Sequence, residues 1–464
     1  MSRLIKVIIV TLFAVNVAAQ DAATAWRDVY PQIEKNIVAP VFKNQDYNIL
    51  DFGAVANNAA KLNHEAIDRA IATCAINGGG RVVVPAGVWH TGPIRLKSNV
   101  NLYLSEGAVL LFTTDPKYFP AVLTRWEGLD CYNMQPLIYA YGETNIAITG
   151  KGTIDGAASN DNWWKKCGAA RFGWKEGDIS QRVGRPKLQQ WSINNVPVTQ
   201  RVFKPEDGMR PQLINLYLCK NILIEGVTLL RSPFWVIHPL LCDNVTVRGV
   251  RIDNDGPNGD GCDPESCTNV LIDNCFFHTG DDCIAIKSGR NNDGRLWSKA
   301  SENMIVRNCE MRNGHGGVVI GSEITGGYKN LFVSDCKMDS PELDRVIRIK
   351  SNTCRGGIIE NVYVRNVEVG QCKESVLGIN LVYESKEIGK RGYLPIVRNF
   401  YLDNVNCKKS QYGVFIDALA EKTSVYNINI SNCNFSGVAK GNLIKGMTKD
   451  INYKNLIING KQFN

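Results

Sequence analysis

The sequence lacks several features that would place it elsewhere. Among its 464 residues no apolar run approaches the ~20 residues that span a bilayer, which disfavours a transmembrane protein. Its 53 basic and 45 acidic side chains leave a formal charge of +8, but no Lys/Arg run forms a nucleic-acid stripe, so no nucleic-acid partner is expected. No Cys-x-x-Cys occurs, and none of the five His has ligand spacing to a Cys, which leaves no zinc pattern. Gly78-Gly79-Gly80 leads into a strand and lacks a following Lys-Ser/Thr, so it is no phosphate loop. With 44% hydrophobic and 21% charged residues the chain is neither disordered nor collagen-like. What is present is dense Val, Ile and Asn with 42 Gly, a composition of strands joined by turns. The mild positive excess suits an acidic partner.

Met1 to Gln20 run from a basic start (Arg3, Lys6) through an apolar centre (Val7 to Val15) to Val17-Ala18-Ala19. That is the order of a secretory signal peptide, with cleavage expected after Ala19. The expected layout is a signal peptide at 1–19, an N-terminal extension at 20–45 and a single domain at 46–464. Fifteen Cys in an exported chain would ordinarily suggest disulfides. The number is odd, however, and a chain this long buries a core without staples. Most are read as buried thiols, with one or two disulfides left open. A short leader and free thiols point to a bacterial periplasm.

From residue 145 onward one phrase recurs: Asn, alternating apolar residues, then Asn, Gly or Asp, then Cys or Val. It appears as Asn221-Ile-Leu-Ile224-Glu-Gly226-Val227, as Asn269-Val-Leu-Ile272-Asp-Asn274-Cys275 and as Asn427-Ile-Asn-Ile430-Ser-Asn432-Cys433. Its first Asn falls at 145, 221, 244, 269, 303, 330, 361, 399 and 427, mostly one solenoid turn apart. The period of two within each phrase marks a half-buried strand, and no helical segment separates the copies. The fold class expected is all-β: a single-domain right-handed parallel β-helix of about ten coils, with inward Val, Ile and Cys ladders and a ladder of stacked Asn amides. Leu62 to Cys74, with Ile67, Ala70, Ile71 and Cys74 on one face, is the one convincing helical stretch; it would cap the open end of the solenoid. Residues 157–210, with Trp163, Trp164, Trp174 and Trp191, break the repeat and are expected as a long surface loop.

Acidic residues concentrate where the repeat is interrupted. Asn258-Gly-Asp260-Gly-Cys-Asp263 follows one phrase and Gly280-Asp281-Asp282 the next, 21 residues after Asp260, so these carboxylates belong on adjacent rungs of one face. Like charges so close cannot all ionise freely, which sets an acid beside a base. From the carboxylates alone a calcium site or solvated Asp turns fit equally well. Two further features favour chemistry. His315, in Gly314-His315-Gly316, lies 33 residues after Asp282, and Arg348 lies 33 after His315. Alternation turns Arg348 and Lys350 to one face and Ile349 inward. Two cations there would repel calcium and bind an anionic sugar, which points to a cleft that cuts an acidic polysaccharide.

In this order and spacing, Asn258-Gly-Asp260, Gly280-Asp281-Asp282, Gly314-His315-Gly316 and Arg348-Ile349-Lys350 resemble the four signatures of the polygalacturonases, glycoside hydrolase family 28. Asp51-Phe52-Gly53-Ala54 and Gly152-Thr153-Ile154-Asp155-Gly156 before Trp163-Trp164 extend the resemblance over residues 46–464. One departure is Gly259, where the family usually has Thr. The resemblance implies hydrolysis of polygalacturonate with inversion at the anomeric carbon. By it Asp281 is the general acid, Asp260 and Asp282 hold and deprotonate water, and His315 helps keep Asp281 protonated. Arg348, Lys350 and Tyr383 would bind the galacturonate. Inversion asks for carboxyls roughly 6.5–9.5 Å apart. No cofactor and no metal are expected, and no membrane partner; a monomer is expected, with pectin as the partner. The insertion at 157–210 could wall off one end of the cleft, which favours exo over endo attack. A pectate lyase would share solenoid and substrate, but the intact His315 and the Asp281-Asp282 pair speak against it. A non-catalytic adhesin has no reason to place these groups on consecutive coils.

Overall fold

Stacked parallel strands account for almost all of the architecture. The computed structural model describes residues 21–463; the signal peptide expected at 1–19 lies outside them. One column of strands climbs from Asp46–Asn48 and Gly80–Val84 through Lys220–Glu225 and Thr268–Asp273 to Thr448–Lys454, each parallel to the next. The coils form a right-handed parallel β-helix. Val82, Ile222, Val245, Val270, Val362 and Ile428 point into its core and are fully or almost fully buried.

The recurrent Asn does what the sequence suggested. Asn145, Asn221, Asn244, Asn303, Asn330, Asn361, Asn399 and Asn427 all sit at φ between 54° and 65°, a left-handed turn that Asn tolerates better than most residues. Their amides stack: Asn221 Nδ2 donates to Asn145 Oδ1 at 2.9 Å, Asn244 to Asn221 at 3.0 Å and Asn427 to Asn399 at 2.9 Å. Most of the residues that open these strands are thus bonded to the coil below, which helps fix the register; the ladder breaks between Asn269 and Asn303. All fifteen cysteines are free, and all but Cys167 are buried. The one or two disulfides left open by the sequence are not formed. Cys275, Cys309 and Cys336 instead occupy successive rungs as small apolar groups.

The helix His64–Ile76 covers the first coil with Ala66, Ile67, Ala70, Ile71 and Cys74. At the other end the antiparallel pair Leu456–Ile458 and Lys461–Phe463 ends the parallel stack. Helical structure goes beyond that cap, which corrects the expectation of a single helix. The N-terminal extension is helical over Ala22–Thr24, Ala25–Val29 and Tyr30–Asn36, and lays Trp26 and Tyr30 on Phe332 outside the solenoid. The insertion is no plain loop either: it holds a helix, Gln181–Ile193, whose buried positions are Gln181, Gly184, Leu188 and Ser192. That helix packs Leu188 and Trp191 against Trp126, Phe203, Phe234 and Trp235.

A short-stranded face carries the site. Its six strands include Ile284–Ile286, Val318–Ile320, Arg345–Lys350 and Ser375–Asn380. The antiparallel hairpin Ala121–Trp126 and Leu129–Met134 and the helical insertion rise along one side of it.

Candidate active site

The interrupted repeats bring the acidic residues together because one coil separates them. Gly261 N–H donates to the Asp282 carbonyl at 3.0 Å, and His315 N–H to the Asp281 carbonyl at 3.0 Å. Carboxylate oxygens of Asp260, Asp281 and Asp282 lie within 4.8 Å of one another. The three carboxyls sit on two adjoining rungs, with Asp260 level with Asp282. Two oxygens up to about 5.6 Å apart can still share one water, each at a hydrogen-bond length.

Two glycines make this approach possible. A Cβ on Gly314, at φ +127°, would stand 2.4 Å from the Asp281 carbonyl oxygen. A Cβ on Gly259 would stand 2.4 Å from Asn254 Nδ2 and 2.5 Å from the Gly256 carbonyl oxygen. The residue that departs from the family pattern is therefore the one its own turn requires. Asn258 beside it accepts from Arg210 at 2.6 Å.

All seven residues singled out from the sequence are in this place. Asp260, Asp281, His315, Arg348, Lys350 and Tyr383 line one cleft of about 410 Å³, a size typical of small-molecule sites, and Asp282 forms its floor. Lys350 Nζ is 2.7 Å from Asp282 Oδ2, and Arg348 Nη1 is 3.4 Å from Asp282 Oδ1. Ile349 between them is buried in the core. The Tyr383 ring lies 5.7 Å from the Arg348 guanidinium and 5.4 Å from the Lys350 ammonium.

His315 Nδ1 meets Asp281 Oδ1 at 3.0 Å. Burial raises the affinity of Asp281 for a proton, but the hydrogen bond and charge of His315 outweigh it and hold that carboxyl well below the usual range. The same hydrogen bond pushes His315 up to about 9. The two shifts together favour the proton of this pair on His315. The expectation that His315 keeps Asp281 protonated is corrected: an imidazolium favours the ionised carboxylate. Asp260 goes the other way, pushed well up by burial and by the charges of Asp263 and Asp281.

The sequence reading missed part of the cleft. Lys287 stands in the apolar phrase Ile284-Ala-Ile-Lys, and its ammonium lies under Asp260, Asp263 and Glu323. A lone Lys closing a strand phrase, as Lys350 does, was the available signal. Glu127, Arg185, Trp235, Glu323 and Glu384 form one wall, joined by Arg185 to Glu127 at 2.7 Å and Arg290 to Glu127 at 3.2 Å. Arg185 comes from the insertion and Glu127 from the hairpin turn, and no motif links them. The carboxylate trio could in principle hold a cation, but Lys287, Lys350, Arg348 and His315 already neutralise it. In a second group His278 lies 3.0 Å from Asp253 and 3.5 Å from Asp255.

Comparison with known proteins places these features in context. Residues 199–392 match the model of glycosyl hydrolases family 28. The chain is similar to the structure of a hyperthermoactive exopolygalacturonase from Thermotoga maritima, with 38% identity and a TM-score of 0.89 over 94% of this chain and 97% of that one. It is 30% identical over 338 residues to a probable polygalacturonase of Vitis vinifera, covering 70% of this chain and 61% of that protein's length. It is 29% identical over 334 residues to an endo-polygalacturonase of Pectobacterium carotovorum, covering 69% of this chain and 72% of that protein. The chain thus spans about three fifths of the length of the Vitis relative.

Proposed function

This chain belongs to glycosyl hydrolases family 28, and we propose that it hydrolyses the α-1,4-galacturonosidic bonds of polygalacturonate from chain ends, with inversion. The observation that carries this reading is one cleft with three carboxylates on adjoining rungs, faced by Arg348 and Lys350. The cations suit a uronate carboxylate; the carboxyls suit proton transfer and water activation.

Asp281 has one oxygen tied to His315 and to the Asp282 N–H at 3.0 Å. Among the described residues its other oxygen has no hydrogen bond, so it is free to meet the glycosidic oxygen. The proton stored on His315 passes through Asp281 to that oxygen as the C1–O bond breaks. Water held between Asp260 and Asp282 attacks C1 and gives its proton to the carboxyl cluster. Both Asp282 oxygens face cations, which weakens it as a direct nucleophile and favours attack by water. That supports inversion.

A second reading has its own support. Burial and neighbouring carboxylates push Asp260 up while His315 holds Asp281 down, which fits Asp260 as acid and Asp281 as base. Asp260→Asn and Asp281→Asn, each assayed on a galacturonide with an activated aryl leaving group, separate the two. The variant whose defect the good leaving group relieves has lost the acid.

End attack is supported by the wall of Arg185, Glu127 and Glu384, which closes one side of the cleft. A product time course on polygalacturonate, with and without chelator, tests it. Mono- or digalacturonate from the outset is expected; a ladder of mid-sized oligomers would mean endo attack. Proton NMR of the first product tests inversion, which predicts the β-anomer. A chelator-sensitive product absorbing in the ultraviolet would instead mean elimination. Export belongs to the same proposal, and N-terminal sequencing of the mature protein should begin at Gln20.

A further inference from the structure

Behind Asp260 lies a buried charge pair that the reaction as described does not use. Asp263, three residues on, is fully buried, and its carboxylate faces Lys287 and Asp260. Lys287 Nζ stands 3.3 Å from Asp263 Oδ1, 3.5 Å from Asp260 Oδ2 and 3.4 Å from Glu323 Oε2. The ammonium also sits 4.4 Å from the centre of the Trp235 ring, and its side chain is 3% exposed. An ammonium and two carboxyls are each costly to bury, so their presence together needs a reason beyond packing.

We propose that Lys287 and Asp263 are positioning residues that act through Asp260: together they hold its carboxyl against the water and fix the charge it carries when substrate arrives. The inference rests on the reading of Asp260 as a proton-exchanging group of the reaction. One ammonium lies between Asp260 and Asp263, and Glu323 takes part of its charge. Two carboxyls so placed cannot both ionise freely, so they hold one proton between them. Burial accordingly pushes Asp263 up to about 8, against the pull of Lys287. The other charged or titratable groups facing the pair are Asp281, Asp282 and Lys350 on the cleft side, Arg290 beyond Glu323, Cys262 and Glu265 on the coil of Asp263 itself, and His238 on the coil below.

The two members pull on Asp260 in opposite senses, which separates this role from a structural one. Removing the negative partner, Asp263→Asn, leaves Lys287 to favour the ionised Asp260. Removing the cation, Lys287→Met, leaves Asp260 beside other carboxylates and favours its protonated form. With Asp260 as base, the acid limb of the pH profile of kcat/KM on polygalacturonate moves down in Asp263→Asn and up in Lys287→Met. Each shift should be on the order of one pH unit or more. Lys287→Arg keeps the charge and should return the limb towards its native position. Circular dichroism confirms that each variant is folded; should Lys287→Met fail to fold, the isosteric Asp263→Asn alone still decides.

A limb that stays in place in folded Asp263→Asn, or that moves the same way in both variants, overturns the inference. Asp260→Asn keeps the two levels apart. If it abolishes turnover while the limb ignores Asp263, the inference fails and the reading of Asp260 stands. If Asp260→Asn turns over normally, the reading itself fails.

Discussion

Lys350→Met tests how the cleft holds its charge. The substitution keeps the length and most of the volume of the side chain, so little cavity is left. It removes an ammonium 2.7 Å from Asp282 Oδ2, where the two side chains are 8% and 1% exposed. Breaking a buried pair by removing one partner costs roughly 3–5 kcal/mol, mostly for the charge left behind. Arg348 still faces the other oxygen at 3.4 Å, so the lower end, about 3 kcal/mol, is expected. Burial opposes the charge of Lys350, but Asp282 outweighs it and raises its pKa above the ordinary lysine value. The stabilisation is therefore fully present below the unfolded lysine pKa of about 10.4 and is lost only as pH rises through the higher folded value. Urea denaturation at pH 7 and at pH 9 should give the same difference between native and variant. Turnover should fall further, by roughly 10²-fold or more, because substrate loses a cation and Asp282 loses its orientation. The double variant with Asp282→Asn should show coupling of at least about 2 kcal/mol in denaturation. A loss below about 1 kcal/mol with additive single effects would refute the view that this pair fixes Asp282.

Three further outcomes are expected. His315 holds its proton up to about 9 through Asp281, so kcat/KM should fall as pH rises through that value, and His315→Gln should remove the limb together with most of the activity. Gly259→Thr, which restores the usual family residue, should destabilise by about 1–3 kcal/mol in thermal or urea unfolding, since its Cβ would meet a backbone carbonyl that cannot move aside. Arg185→Ala should raise KM for oligogalacturonides several-fold with a smaller change in kcat, because Arg185 is partly exposed and one of several groups in the wall; a pure kcat loss would place it elsewhere in the reaction.

What the sequence determined by itself was whatever repeats or alternates. A period of two, broken at each coil by an Asn whose turn demands positive φ, suffices to specify strands, register and a solenoid, because each coil meets only its neighbours. The same regularity placed Asp260, Asp281, Asp282, His315, Arg348, Lys350 and Tyr383 on one face. Asp260, the Asp281-Asp282 pair, His315, the Arg348 and Lys350 pair and Tyr383 follow one another a coil apart, and sequence distance there converts directly into rungs. The helices outside the coils were less legible for different reasons. In Ala22 to Asn36 the i, i+4 series Ala25, Val29, Ile33 was there to be read. The insertion helix buries Gln181, Gly184 and Ser192 beside Leu188, so its inner face carries almost no apolar signal. Only the tertiary structure decided the wall, because Glu127, Arg185, Glu323 and Glu384 come from four separate segments whose meeting no local pattern encodes. It also decided where the protons rest. Charge state depends on burial and on every neighbour within a few ångströms, which is why His315 holds the proton that the sequence reading had assigned to Asp281.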